Sequence, residues 1–274
     1  MFKREVIEIL GNKMCYYEQG QGEITCVFSS GFGTPFPLAD MYELANKLSN
    51  NCRCIIIDRF GYGNSDIVQR KRNIENITNE TIELFRKINI KEEKTIFIGH
   101  SIASLHALSL AKKLNLKGIV LIDSEKINTF SLFINKILNY IYYTFRNTRL
   151  KIKYDMRLAS FLYDNRRIPK YIKDEGKKII SNKLPNYDQL DELKNVRKDM
   201  QLLENSLREK EINKGLLICK NNTKKNNQLL QKYFKNSKLI NMGLASHFMH
   251  YEKNNLLYAE IISYFDLCNN VIAL

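Results

Sequence analysis

The sequence lacks several features that would define other classes of protein. It has no run of about 18 apolar residues, the length that a membrane-spanning helix needs, so no such helix is expected. The start, Met1 to Glu5, is not followed by the apolar core of a secretory signal. No zinc-finger, RNP or helix-turn-helix signature supports a nucleic-acid partner. No metal-ligand cluster or phosphate-binding loop is visible, so neither a metal nor a cofactor is expected.

Acidic residues are scarce in this chain. Its 29 Asp and Glu residues face 43 Lys and Arg residues, which gives a formal net charge of +14. A nucleic acid or an anionic membrane would attract such a charge, but the abundance of Lys, Asn and Ile favours a compositional bias. The excess is concentrated in residues 126–214, which hold 20 basic against 11 acidic residues.

The six cysteines show no regular disulfide spacing. Cys52 and Cys54 are too close in sequence for a normal bridge and have no second pair with which to bind zinc. Several cysteines fall in or beside apolar runs, so buried reduced thiols are expected. A reducing compartment, and therefore the cytoplasm, fits this usage. The cysteines are Cys15, Cys26, Cys52, Cys54, Cys219 and Cys268.

Short apolar runs alternate with helix-like patterns along most of the 274 residues. This alternation predicts an α/β fold, with a mostly parallel sheet and helices on both faces. Residues 126–214 show helix-like patterns without a clear buried strand. Beyond Gly215 we expect a strand, a helix near Gln228 to Phe234, a last strand at Lys238 to Asn241, a loop at residues 243–251 and a closing helix. In such sheets the functional site lies beyond the carboxyl ends of the strands.

One stretch, Gly99-His100-Ser101-Ile102-Ala103, has the pattern of a nucleophile elbow. A strand-like run, Lys94 to Ile98, precedes it, and a helix-like run follows from Ser101 to Lys112. Ala103 stands where glycine is usual, which adds only a methyl group. Taken alone, the pattern also fits a serine that caps a helix after a strand.

Four motifs together resemble the α/β-hydrolase fold family, in the order in which that family has them. Ser30 to Gly33 resembles the oxyanion turn His-Gly-x-Gly, with serine in place of histidine. Residues 58–66 are similar to the loop Asp-Arg-Pro-Gly-x-Gly-x-Ser, with phenylalanine in place of proline, and the elbow is the third motif. Gly243 to Glu252 resembles the terminal histidine loop. The resemblance implies an α/β-hydrolase core at residues 1–125 and 215–274, with an inserted helical cap at 126–214.

The resemblance also implies a catalytic apparatus. Ser101 is the expected nucleophile, His247 the expected base, and the backbone N–H groups of Phe32 and Ile102 the expected oxyanion hole. His250 competes with His247 because it lies three residues further along the same loop. His100 is expected to point away from Ser101, and His106 is expected to be an ordinary packed histidine.

The acid of the triad does not stand where most family members have it. The loop Lys220 to Lys224 carries no carboxylate, and no Asp or Glu occurs between Glu211 and Glu252. Some family members place the acid one strand earlier, where this chain has Asp123, with Glu125 in reserve. An aspartate at this position could also serve only at the strand end.

These features predict a serine hydrolase that cleaves a carboxylic ester or a related acyl bond of a small, apolar substrate through an acyl-enzyme. Asp58 and Asp66 are expected to hold their loop. Two other interpretations stay open: a noncatalytic binding protein, and a membrane-surface lipase or acyltransferase. The latter rests on an apolar helical pattern at Phe130 to Phe145 followed by basic residues, which leaves open a peripheral membrane contact through the cap.

Overall fold

A computed structural model describes residues 1–32, 34–124, 157, 162–164, 166–209, 212–220 and 234–267. Their strands are β1 (Lys3–Ile9), β2 (Asn12–Gln19), β3 (Thr25–Ser29), β4 (Arg53–Asp58), β5 (Thr95–His100), β6 (Gly118–Ile122), β7 (Ile212–Lys220) and β8 (Phe234–Asn241). Within the described residues these form one sheet in the order β1-β2-β4-β3-β5-β6-β7-β8. β2 pairs antiparallel with β1 and β4, and the pairs from β4 to β8 are parallel.

Helices connect the strands and cover both faces of the sheet. Those with described bounds are α1 (Pro37–Leu48), α2 (Ile74–Lys87), α3 (Ala103–Lys113), α4 (Lys170–Lys183), α5 (Tyr187–Glu209), α6 (Met249–Glu252) and α7 (Asn254–Phe265). Successive residues of a strand face opposite sides. Accordingly, Phe28 joins an apolar cluster with Leu44 of α1, whereas Val27 joins another with Leu108 of α3 and Met200 of α5. The predicted α/β architecture is confirmed.

The last part of the sheet differs from the sequence prediction. β8 begins at Phe234, so this residue is the start of a strand and not the end of a helix, and residues 228–233 lie outside the described residues. Phe234 is buried and pairs with Ile212, where β7 begins before the predicted Gly215. Polar residues separate Phe234 from the apolar end of β8, so the local sequence does not indicate a strand at Phe234. Pairing with the parallel strand β7 stabilises the strand there. The predicted terminal loop also contains the short helix α6.

The predicted cap contains α4 and α5. Since Met200 of α5 packs in the same cluster as Leu108 of α3, this part of the predicted cap packs against a helix that covers the sheet. The division at residues 126 and 214 stays a prediction. The predicted helix from Phe130 to Phe145 lies outside the described residues, as does Glu125. No described helix combines the length and apolarity needed to span a bilayer.

Candidate active site

Ser101 lies at a sharp turn between β5 and α3. Its φ is +55°, a left-handed conformation that costs a non-glycine residue roughly 1–2 kcal/mol. Its N–H donates to the carbonyl of Ile122 on β6 (2.9 Å), and its own carbonyl accepts from Ser104 N–H as the helix begins (3.0 Å). A Cβ at Gly99 would lie 2.4 Å from the carbonyl oxygen of Ala103, so only glycine fits at this position of the turn. Strain of this kind concentrates at functional sites.

The structure brings His247 and Asp123 together. His247 Nδ1 lies 2.6 Å from Asp123 Oδ2, so the ring donates a hydrogen bond to the carboxylate. Asp123 directly follows β6, and His247 lies in the loop after β8. Their side chains are 38% and 18% exposed, so this contact faces a partly open part of the molecule. A carboxylate on Nδ1 leaves Nε2 as the nitrogen that can accept a proton.

The elbow is close to this pair. His100, which precedes Ser101, has its ring centroid 4.8 Å from that of His247. Ser101, Asp123 and His247 follow the carboxyl ends of β5, β6 and β8, on one edge of the sheet. The structure therefore gathers the three residues that the resemblance named, although they are far apart in sequence.

The turn from Ser30 to Gly33, predicted to form part of the oxyanion hole, has its residue Gly31 against Ser101. A Cβ at Gly31 would meet the Cβ of Ser101 at 2.8 Å, so only glycine permits this approach. Among the described residues, the N–H groups of Phe32 and Ile102 have no hydrogen-bond acceptor. Ile102 also stands at the N-terminus of α3, where the helix dipole favours negative charge. The use of these two amides as an oxyanion hole stays a prediction.

The buried Arg59 side chain stabilises that turn, and no sequence pattern predicted this role. Its Nη1 donates to Ser29 Oγ (2.6 Å) and to the carbonyl of Ser30 (2.7 Å), and its Nη2 pairs with Glu192 Oε1 of α5 (2.9 Å). Both side chains of the ion pair are buried. The arginine of the second motif thus links the main chain at Ser30 to α5 of the predicted cap, a contact that no local pattern could reveal.

The other predicted histidines lie elsewhere. His106 is buried on α3, with its ring 4.8 Å from that of Phe97, and burial holds its pKa well below the usual value. His250 is also buried, and its Nε2 donates to Asp40 Oδ1 (3.0 Å). Burial, together with the neighbouring His100, lowers the pKa of His250 to about 3. His250 is therefore committed to Asp40 and does not compete with His247.

Asp58 and Asp66 hold their loop by accepting hydrogen bonds from main-chain N–H groups. Asp58 Oδ2 accepts from Asn64 N–H, and Asp66 Oδ2 accepts from Lys13 N–H, both at 2.8 Å. Burial raises the pKa of Asp58 to about 8, against the opposing hydrogen bond from Asn64. Glu252 holds the histidine loop, since its carboxylate accepts from Ser246 N–H (2.9 Å).

One buried cluster could accommodate a metal ion. Within the described residues, ligand-type atoms of Asp40, His100 and His250 lie within 4.8 Å of one another. Asp40 Oδ1 already accepts hydrogen bonds from His250 and from the hydroxyl of Tyr251. Hydrogen bonding thus accounts for much of this arrangement. No sequence pattern predicts this cluster, because the three residues are widely separated and individually ordinary.

Residues 30–208 match the family described as the alpha/beta hydrolase fold. A 123-residue stretch is 32% identical to a Bacillus subtilis (strain 168) protein named "Uncharacterized protein YbdG", covering 44% of this chain and 38% of that one. The aligned part thus spans well under two thirds of the relative's length.

Solved structures of low sequence identity share the fold along almost the whole chain. The enol-lactonase from Burkholderia xenovorans LB400 is 16% identical with a TM-score of 0.72, over 96% of this chain and 100% of that one. The epoxide hydrolase VrEH1 from Vigna radiata is 13% identical with a TM-score of 0.72, over 97% and 98%. Likeness at such identities establishes the fold alone.

Proposed function

The chain belongs to the alpha/beta-hydrolase fold family, and from this we propose that it is a serine hydrolase that cleaves a carboxylic ester or a related acyl bond. The observation that carries the proposal is the 2.6 Å hydrogen bond between His247 and Asp123, beside an elbow at which Ser101 adopts a φ of +55°. A serine hydroxyl is a weak nucleophile unless an oriented base lies within reach. The bond to Asp123 orients the imidazole of His247, and His247 lies at the same edge of the sheet as Ser101, which supports its role as that base.

The proposed reaction assigns each group one role. His247 takes the proton of Ser101 as the hydroxyl oxygen attacks the acyl carbon, and the N–H groups of Phe32 and Ile102 stabilise the negative oxygen that forms. Collapse breaks the bond to the leaving alcohol, which receives the proton from His247. Water then attacks the acyl-enzyme in the same way and releases the acid. Asp123 keeps its charge and stabilises the imidazolium.

The nature of the nucleophile separates this proposal from epoxide hydrolysis. In this fold, dehalogenase and epoxide hydrolase chemistry uses an aspartate at the elbow, where this chain has Ser101. The likeness to an epoxide hydrolase therefore does not carry over as an activity. The lack of a carboxylate near Lys220 favours a noncatalytic binding role, because a triad needs an acid. The contact between Asp123 and His247 supplies a candidate acid, which makes a noncatalytic role less favoured.

Location and substrate belong to the proposal as well. We propose a small acyl substrate with an apolar acyl group, and a location in the cytoplasm. The buried free thiols of Cys26, Cys52 and Cys219 fit a reducing environment. A peripheral membrane contact through the basic insertion stays a prediction, and sedimentation with anionic vesicles at low and high salt tests it, because salt screens such attraction.

The deciding experiment measures hydrolysis of nitrophenyl esters of increasing chain length by the wild type, Ser101→Ala and Ser109→Ala. Ser109 lies on the same helix, buried against Thr78, so its variant is a matched control. We expect Ser101→Ala to lose on the order of 10³-fold or more in kcat, and Ser109→Ala to keep its activity. Wild-type rates in a folded Ser101→Ala variant would refute the nucleophile.

A further inference from the structure

Beneath the His247 loop lies a set of buried polar side chains that the proposed reaction does not use. Asp40, His100 and His250 are each at most 2% exposed. Burying such groups is costly unless hydrogen bonds satisfy them. Asp40 and His250 hydrogen-bond to each other, and His100 hydrogen-bonds to the main chain of His247, so the cluster is joined to the loop that carries His247.

The contact with the loop is made by His100. Its Nε2 lies 3.0 Å from the main-chain carbonyl oxygen of His247. A carbonyl only accepts, so Nε2 must carry the proton. His100 Nδ1 then faces Asp40 Oδ2 at 3.8 Å, within electrostatic reach but too long for a hydrogen bond.

Asp40 holds the other end of the same turn. Its Oδ1 accepts from His250 Nε2 at 3.0 Å and from the hydroxyl of Tyr251, three and four residues after His247. Arg166 donates to the main-chain carbonyl of Asp40 (3.0 Å). Burial alone would raise the pKa of Asp40, but His250 and His100 hold it well below its usual value. An ionised, acceptor-only carboxylate suits this role.

His247 needs such support because its own side chain is 38% exposed. A base must be held within a fraction of an ångström, and a 1 Å displacement can cost about 10²-fold in rate. The bond to Asp123 fixes the ring but not the backbone that bears it. His100 contacts that backbone directly, from the residue next to the nucleophile.

We propose that His100 is a positioning residue: its Nε2–H holds the main-chain carbonyl of His247, while Asp40 anchors the following residues of the turn through His250 and Tyr251. The inference rests on the proposed function, since it assigns the turn a role in hydrolysis. It requires that His100 act through a donated hydrogen bond and not through its volume.

A pair of nearly isosteric variants separates these two roles. His100→Gln places an amide N–H where Nε2 stands, whereas His100→Met fills a similar volume without a donor. We expect His100→Met to lose on the order of 10²-fold in kcat with KM nearly unchanged, and His100→Gln to keep most of kcat. His106→Met, at a buried histidine outside this cluster, should leave both constants at the wild-type level. Equal losses in the two His100 variants, or wild-type kcat in His100→Met, would overturn the proposal.

A spectroscopic readout tests positioning without turnover. The short bond between His247 and Asp123 should give a far-downfield imidazole N–H proton resonance. We expect it to weaken in His100→Met and to persist in His100→Gln. If the wild type shows no Ser101-dependent hydrolysis, the proposed function fails, and this comparison still decides the positioning claim.

Two measurements on the wild type keep the proposal falsifiable should His100→Met fail to fold. Nitrogen-15 spectra of the labelled histidines should show His100 protonated at Nε2, and a bare Nε2 would contradict the hydrogen bond. Metal analysis should find no stoichiometric ion. A metal bound one to one and lost in both His100 variants would assign the cluster to metal binding and overturn the proposal.

Discussion

Replacing Arg59 with methionine removes the guanidinium that joins the oxyanion turn to α5. The wild-type side chain, 2% exposed, donates to Ser29, to the Ser30 carbonyl and to Glu192, which is 9% exposed. It also stacks 4.4 Å from the ring centroid of Tyr62. Methionine fills much of this volume but leaves the Glu192 carboxylate buried without its cation. The cost therefore comes mainly from the stranded charge.

Breaking a buried pair from one side typically costs about 3–5 kcal/mol. For a chain of this size, that corresponds to a fall in Tm of roughly 6–20 °C, at about 2–4 °C per kcal/mol. Urea unfolding of Arg59→Met, Glu192→Leu and the double variant measures the coupling. Removing both charges should recover roughly 1–3 kcal/mol relative to additivity. The Ser30 carbonyl stays without its donor, so the double variant should not regain full stability.

If either single variant is within about 0.5 kcal/mol of the wild type, the range typical of surface substitutions, the buried ion pair of Arg59 does not stabilise the protein as described. Strict additivity of the two substitutions would also contradict this stabilisation. Activity gives a second readout: we expect a loosened turn to lower kcat in Arg59→Met by up to about 10²-fold, the lower end of the loss of an oxyanion donor.

Asp123→Asn should lower kcat by about 10⁴-fold, because an amide favours the wrong tautomer of the base, whereas Glu125→Gln should lose little; the reverse ranking of initial rates would move the acid to Glu125. Gly99→Ala should destabilise by about 1–3 kcal/mol in urea, since the new Cβ would lie 2.4 Å from the Ala103 carbonyl oxygen. Burial lowers the pKa of His106 in the folded protein, so the unfolded protein binds the proton more tightly. The contribution of neutral His106 to the free energy of unfolding is therefore complete above the unfolded pKa of about 6.5 and declines as pH falls below that value. His106→Met should reduce this acid sensitivity by at most about 1.4 kcal/mol per pH unit, and an unchanged slope would contradict the assignment.

Local patterns sufficed for most of the sheet and for the strand–turn–helix at Ser101. Buried strands such as Ile55 to Ile57 read as short apolar runs because both faces of a parallel sheet are covered. Small residues around Ser101 were visible because the turn leaves no room for others, as Gly99 shows. The local pattern up to Phe234 favours a helix, whereas Phe234 forms a strand because it pairs with β7.

Long-range polar contacts could not be predicted in the same way. The sequence predicts Asp123 as the acid because the loop that usually carries it has no carboxylate. In the structure the carboxylate of Asp123 accepts a hydrogen bond from His247. Its catalytic role stays a proposal. Nothing in the sequence linked Arg59 to Glu192, or Asp40 to His250, because each pair joins elements more than a hundred residues apart. Such contacts form only when the helices pack against the sheet in the folded protein.

The identity of the nucleophile is the central claim, and covalent labelling tests it most directly. The purified protein would be treated with a fluorophosphonate, its intact mass measured, and the modified peptide mapped. We expect one adduct per chain, located on Ser101, with labelling much slower in His247→Ala and absent in Ser101→Ala. A folded wild-type protein that stays unlabelled, or an adduct on another residue, would contradict it.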